Sequence, residues 1–326
     1  MANSPLYRTP VLCLWCALAT TAPACPSAHG TPPARIEGDS RRQFTNQELS
    51  HPCKTTKLKQ TAHVSRATKT SKLAPSYEAL TNQFEPVTIN VLVVYTKAAL
   101  QDFKETNETN TDAALQRLKD AVEAARKQAN DTFSANKLAL IVKTGMPEQI
   151  AFKESESVDA SLESIAADKE TAKLRKAHQA DVVAFIQSGG DWAGLANGAR
   201  RDLNDEESAE QALFVIQDNC IAKSFHCFTH ELSHVLGAAH EESWVSTHEG
   251  DYRGWKDICR GWAWIGSDRV TYGDIMDYSA ADNREFILSD PNSTNHGAAS
   301  GTANANNAAC VREEGRHVAR YHEFLK

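Results

Sequence analysis

Between His230 and His240 the chain reads HELSHVLGAAH, with three histidines, a glutamate and a glycine at set offsets. His230 and His234 are four apart, so on a helix both imidazoles leave one face about one turn apart. That is the geometry two ligands of one tetrahedral zinc ion require. Glu231 stands beside them, able to reach a metal-bound water without ligating. Gly237 can take a positive φ, ending the helix and turning the chain so that His240 returns as a third nitrogen ligand. Three neutral histidines leave one coordination position for water, which marks a catalytic rather than a closed structural zinc site. The expected chemistry is hydrolysis, with one Zn2+ activating water and Glu231 moving its proton to the leaving group. A bare H-E-x-x-H also occurs on solvated helix faces; the added glycine and third histidine set this stretch apart.

Such a helix needs a framework. VTINVLVVYT (Val87 to Thr96) reads as a buried strand, and the helix pattern from Thr111 to Phe133 follows it. Leu115, Leu118, Val122, Ala125, Ala129 and Phe133 form one apolar face of that helix, with Thr111 as the expected N-cap. KLALIVKTGM is a second strand, Ser157 to Gln179 a second amphipathic helix, and ADVVAFIQ a third strand. This alternation predicts an α/β (α+β) fold with a mixed, mainly parallel twisted sheet and packed helices. WAGLANGA reads as an edge strand and ALFVIQD as one further strand. Beyond the histidines regular patterning fades until a last helix, roughly Asn307 to Leu325. A sheet-bearing part and an irregular C-terminal subdomain imply a cleft with the histidines at its floor.

The 326 residues include 41% hydrophobic and 24% charged residues, ordinary for a globular chain. Residues 1–24 read as an export signal, with Arg8 before the short apolar run VLCLWCALA and small-residue cleavage sites at ALA and APA. That run is too short to span a bilayer, and no later segment comes close. Cys25 directly after APA raises lipid anchoring, but Ala22 stands where a larger aliphatic belongs. Residues 25–85 are polar and basic, a poorly ordered leader or propeptide carrying 9 Lys/Arg against 5 Asp/Glu from Pro26 on. Residues 86–326, the expected catalytic domain, carry 25 against 37. An acidic body argues against a nucleic-acid partner. Cys220, Cys227, Cys259 and Cys310 form an even set suited to two disulfides in an oxidising compartment, extracellular or periplasmic. Cys53 is left alone in the leader.

Downstream, YGDIMDYSA places Met276 among Gly273, Asp274 and Asp277. At this point the sequence resembles the metzincin zinc endopeptidases, whose H-E-x-x-H-x-x-G-x-x-H motif is followed by a methionine turn beneath the metal. Within that clan it is most similar to the peptidyl-Asp metalloendopeptidase and reprolysin-like group, through INVLVVYT, ADVVAFIQ, SFHCFTHELSHVLGAAHE, DIMDYS, FILSDPN and NNAACV. The likeness covers about Val87 to Glu323. Ala193, Thr229 and Ser233 depart from the residues usual there. The resemblance implies that Met276, otherwise an ordinary core residue, forms the apolar base under the histidines, and that Tyr278 stands beside the zinc to stabilise the oxyanion. It implies a secreted zinc metalloendopeptidase with Glu231 as general base and a protein or peptide substrate extended along the edge strand near Gly194 to Gly198. It also implies Cys220–Cys310 and Cys227–Cys259 bridges, one of three possible pairings. A preference for aspartate would need a cation, for which Arg269 and Arg284 flank the methionine turn. Cys53, as a thiolate, could hold the precursor silent by occupying the fourth zinc position; the plainer reading is a spare thiol or a link to another chain.

Two other functions fit the same residues: a zinc-binding or adhesive module without turnover, and a zinc hydrolase of a non-peptide amide. His226, four before His230, reads as exposed or supporting rather than as a fourth ligand. DLNDEESAE (Asp202 to Glu210) has calcium-binding composition without calcium-loop spacing, so it reads as a solvated acidic loop. Asn107, Asn130 and Asn292 begin N-x-T sequons, relevant only in a glycosylating host.

Overall fold

In a computed structural model of the chain, the described residues are 54–55, 85–198, 203–222, 226–247 and 257–325. The expected signal, Cys25 and Cys53 lie outside them. In chain order the elements begin with β1 (Lys54–Thr55), β2 (Val87–Tyr95), α1 (Lys97–Asp102) and α2 (Thr111–Ala135). Then come β3 (Leu140–Thr144), β4 (Glu148–Gln149), α3 (Val158–Ala166), α4 (Lys169–Ala177), β5 (Val182–Gln187) and β6 (Gly194–Ala196). They continue with α5 (Asp205–Gln211), β7 (Leu213–Gln217), α6 (Asp218–Ala222), α7 (Cys227–Val235) and α8 (Glu242–Thr247). The last are the β8 (Ala263–Ile265) and β9 (Thr271–Gly273) hairpin, a short β10–β11 pair, and α9 (Asn307–Val318).

The sheet order is β1-β6-β7-β5-β2-β3, with β4 also on β2. Every pairing in it is parallel except β6 with β7. The expected mixed, mainly parallel sheet with packed helices is therefore present. Successive strand residues face opposite sides. Val91 and Val93 pack into one core with α2, α7 and α9; Leu92 and Val94 pack into another with α3 and α4. Helices on both faces explain why β2, β5 and β7 are nearly continuous apolar runs.

Several local readings need correction. The cap of α2 is Asn110, whose Oδ1 accepts from the N–H groups of Asp112 and Ala113, not Thr111. The stretch from Ser157 to Gln179 is two helices, because the Asp168 carboxylate accepts from the Thr171 N–H at 2.7 Å and starts a new one. Within DLNDEESAE, Asn204 and Glu207 form a capping box that opens α5, so its acids serve a helix N-terminus. The last helix ends at Val318, followed by a 3-10 turn at Tyr321–Glu323. Asn130 is unsuited to glycosylation: its Nδ2 donates to Arg126 and Val142 carbonyls and its Oδ1 accepts from the Val142 N–H.

The disulfides are Cys220–Cys227 and Cys259–Cys310, not the expected pairs. Cys220 lies on α6 and Cys227 starts α7, and the two helices place their Cα atoms 6.0 Å apart. Cys259 meets Cys310 of α9 with Cα atoms 5.8 Å apart, in a small cluster with Ala239 and Val245. No helix among the described residues is long and apolar enough to cross a membrane.

Candidate metal centre

Helix α7 is buried from Phe228 to Val235, and its apolar side chains anchor it to the sheet. Phe228 meets Phe214 of β7 edge-on, with ring centroids 5.3 Å apart. Leu232 and Val235 join the same core. The opposite face carries His230 and His234. After Val235 the Gly237 N–H donates to the His234 carbonyl and the Ala238 N–H to that of Ser233. This Schellman motif needs the left-handed φ of 89° that Gly237 adopts. It reverses the chain and returns His240, as the spacing predicts.

The Nε2 atoms of His230 and His234 lie 3.1 and 3.0 Å from that of His240. For metal–nitrogen bonds of about 2.0–2.1 Å, a tetrahedron has edges of about 3.3 Å, so the cluster is close to a ligand set. His230 Nδ1 donates to the Ile275 carbonyl at 2.8 Å and His234 Nδ1 to that of Ala238 at 2.9 Å. With the proton on Nδ1, the Nε2 lone pairs of both rings face the common point. Burial, then His234, holds His230 well below the ordinary histidine range. Burial pulls His234 down to about 4. Both rings are thus neutral, as metal ligands must be. The three histidines form a group that could hold a metal ion.

Glu231 is buried on the same helix, against the sheet edge. A Cβ on Gly194 would lie 2.5 Å from its Oε1. The absent side chain of Gly194 therefore makes room for the carboxylate, and β6 forms the wall beside it.

Met276 is fully buried in the core that holds Leu232 and Val235. The Asp274 Oδ1 accepts from the Met276 N–H at 3.0 Å, and its Oδ2 from the Ser289 N–H at 2.7 Å. Burial, with Asp277 second, pushes the Asp274 carboxyl up to about 8. Through the Ile275 carbonyl this turn also orients His230.

Tyr278 comes to the histidines: its hydroxyl lies 3.3 Å from His230 Nε2 and its ring 4.7 Å from that of His240. The Arg284 guanidinium lies over the Tyr278 ring, 5.3 Å from its centroid. Arg269 does not join them; it sits exposed at the turn of the β8–β9 hairpin, at φ 68°. His226 precedes α7 as a half-buried ring set edge-on to Phe286, and it is not one of the three converging nitrogens. Burial, then Arg284, lowers it to about 4.

Sequence reasoning missed Trp244, whose ring stands 5.4 Å from both His240 and Tyr278. It also missed Glu241, which accepts from the Tyr278 N–H at 3.2 Å and whose carboxyl burial pushes up. Their only signal was adjacency to the third histidine in HEESW.

No family model and no curated protein matches the chain. Among solved structures it is similar to a chain described as "Structure of a chaperone-substrate complex", at 17% identity and a TM-score of 0.52. The match covers 73% of this chain and 35% of that one. At that identity the likeness shows the fold.

Proposed function

We propose that the chain is a zinc-dependent endopeptidase of metzincin type. The observation that carries this reading is the convergence of three buried imidazole nitrogens beside a buried glutamate at the edge of a sheet. His230, His234 and His240 fit zinc by donor type and spacing. When bound, zinc supplies a Lewis acid for the scissile carbonyl and for water. Glu231 accepts the proton of the attacking water and delivers it to the leaving amine. The Tyr278 hydroxyl, beside His230, donates a hydrogen bond to the oxyanion. Trp244 packs against His240 and Tyr278 and limits the water around them. Arg284, over the Tyr278 ring, is the cation available for an acidic substrate side chain, and Arg269 is not. The two disulfides suit a secreted protein.

Casein or gelatin zymography with and without chelator tests the reading, beside Glu231→Gln and His234→Ala. Glu231→Gln should keep zinc and lose activity by roughly 10²- to 10⁴-fold; His234→Ala should lose both. Zinc binding without chelator-sensitive cleavage would leave a binding module, and cleavage of amides other than peptides would leave a different hydrolase.

A further inference from the structure

A cavity of about 610 Å3 adjoins the candidate centre, and its wall includes Glu241, Glu242, Asp257, Arg260, Trp262 and Asp277. Glu241 follows His240 in the chain, Asp277 precedes Tyr278, and Glu241 accepts the Tyr278 N–H at 3.2 Å. Arg284 is not a wall residue, so this cavity is separate from the cation assigned above to an acidic side chain. Four carboxylates share the wall with one guanidinium, the only Lys or Arg there among the described residues. That guanidinium is already engaged. Arg260 donates from Nε to the Glu242 carboxylate at 2.8 Å and from Nη1 to the Cys259 carbonyl at 2.9 Å.

Acidic side chains in contact with water need no ligand, but Asp277 is only 1% exposed. Its Oδ1 accepts from the Ser279 hydroxyl at 2.7 Å and from the Ala280 N–H at 3.0 Å. Among the described residues no donor and no cation reaches its Oδ2. A carboxylate taken out of water is costly to hold unless a cation or further donors meet it. Asp277 belongs to the wall, so that oxygen is left for an occupant of the cavity. Spacing and size say what kind. Among the described residues only His230, His234 and His240 converge as a metal's ligands do, so the four carboxylates do not form a metal set. The volume suits an organic group instead. Trp262, 37% exposed, adds an aromatic surface to the wall. A guanidinium forks onto carboxylates, stacks on indole and is weakly hydrated for a cation.

We propose that this cavity is a subsite for a basic side chain of the substrate, arginine above lysine, recognised by Asp277, Glu241 and Trp262. The proposal rests on the endopeptidase reading above and names the substrate class of that site.

The test uses the full-length zinc-loaded chain and its Asp277→Asn and Trp262→Ala variants. A random peptide library finds the position at which residues are selected, and paired peptides then carry arginine or citrulline there. Citrulline keeps the shape of arginine and loses its charge. Two ratios are read: kcat/KM for the pair, and affinity for the pair by fluorescence anisotropy on the zinc-loaded Glu231→Gln variant. The parent should favour arginine roughly tenfold or more in both, as charge-assisted hydrogen bonds do. Asp277→Asn removes the charge and should bring the ratio toward one, while Trp262→Ala should lower it about threefold. A ratio taken within one variant cancels any general loss of activity or folded fraction. Equal affinity for the two peptides would overturn the subsite whether or not either is cut. A preference that survives Asp277→Asn would overturn the recognition assigned here. Calcium held by the parent and lost in Asp277→Asn, with no preference for arginine, would make the cavity a metal site instead. Arginine-selective binding with no cleavage by any form would sink the endopeptidase reading, while the basic-side-chain site would stand.

Discussion

Between Val87 and Gln217 most of the buried side chains are apolar and follow the periods of strands and helices. Between 257 and 325 the backbone is largely irregular, and buried polar side chains hold it instead. Asn136, the C-cap of α2, pairs with both the N–H and the carbonyl of Leu288, each at 2.8 Å. Asn307 does the same for Ala239, at 3.0 and 2.8 Å. Asp274 serves two backbone N–H groups and Ser289 donates to the Arg260 carbonyl. Asp181, at the start of β5, accepts from the Asn90 and His322 N–H groups and pairs with the His322 ring, tying down the C-terminal turn. A buried irregular backbone must find partners for its polar groups, and the primary amide, donor and acceptor together, is the side chain that can imitate a strand. Apolar period builds the sheet half; buried amides and carboxylates build the other. The three-histidine cluster lies on the seam, His230 and His234 on the helix backed by the sheet and His240 beside the backbone that Asn307 holds.

The largest test of this contrast is Phe214→Ala, which empties the contact between β7 and Phe228. It should cost about 3–5 kcal/mol in urea unfolding, with both halves melting together. A separate transition for the C-terminal half would show that the sheet is not its framework.

Next comes the disulfide at Cys259–Cys310, which closes a separation of 51 residues against 7 for Cys220–Cys227. From loop length alone, the double Cys→Ala variant of the long loop should lose about 4 kcal/mol and that of the short loop about 2. Equal losses in thermal scans would mean that loop closure does not govern them.

Asn307→Ala should follow, at about 2–4 kcal/mol, because it leaves both backbone groups of Ala239 buried without partners. Since Ala239 precedes His240, the variant should also yield its zinc to a competing chelator sooner. Unaltered stability and metal retention would show that buried amides do not hold the C-terminal half together.

The smallest effect concerns a buried carboxyl at the end of the sheet half. Asp218, just past β7, is buried, and burial, followed by the Asp102 charge, raises its carboxyl to about 6 from its ordinary 3.8. A raised folded-state pKa means that the folded protein holds the proton more tightly. This contribution to stability is fully present below about pH 4 and is lost as pH rises through about 6. Asp218→Asn should therefore stabilise by up to about 3 kcal/mol near pH 7.5 and by little at pH 4. The same difference in melting temperature at both pH values would contradict the assignment.

How far the sequence could be read follows from the same contrast. The β2, β5 and β7 strands and the face of α2 were legible because each is a local period of apolar residues. The histidines and Gly237 were legible because their geometry is set within two turns of one helix. The break at Asp168 and the cap at Asn110 were misread because capping depends on which side-chain oxygen finds a free N–H, and several neighbours could. The cysteine pairing and the place of Arg269 were misread because they depend on how the irregular half runs in space.

The sequence by itself determined the alternating strands and helices, the histidine-bearing helix and the turn that returns His240, since each is fixed by side chains a few residues apart. The tertiary structure alone decided which cysteines meet, that Arg284 rather than Arg269 comes to Tyr278, that Trp244 walls the histidines, and that Gly194 makes room for Glu231. It also decided that Lys54–Thr55 pairs with the edge of β6. These are contacts between distant segments, selected by which arrangement buries the apolar faces while still pairing the polar backbone, and no local pattern encodes that choice.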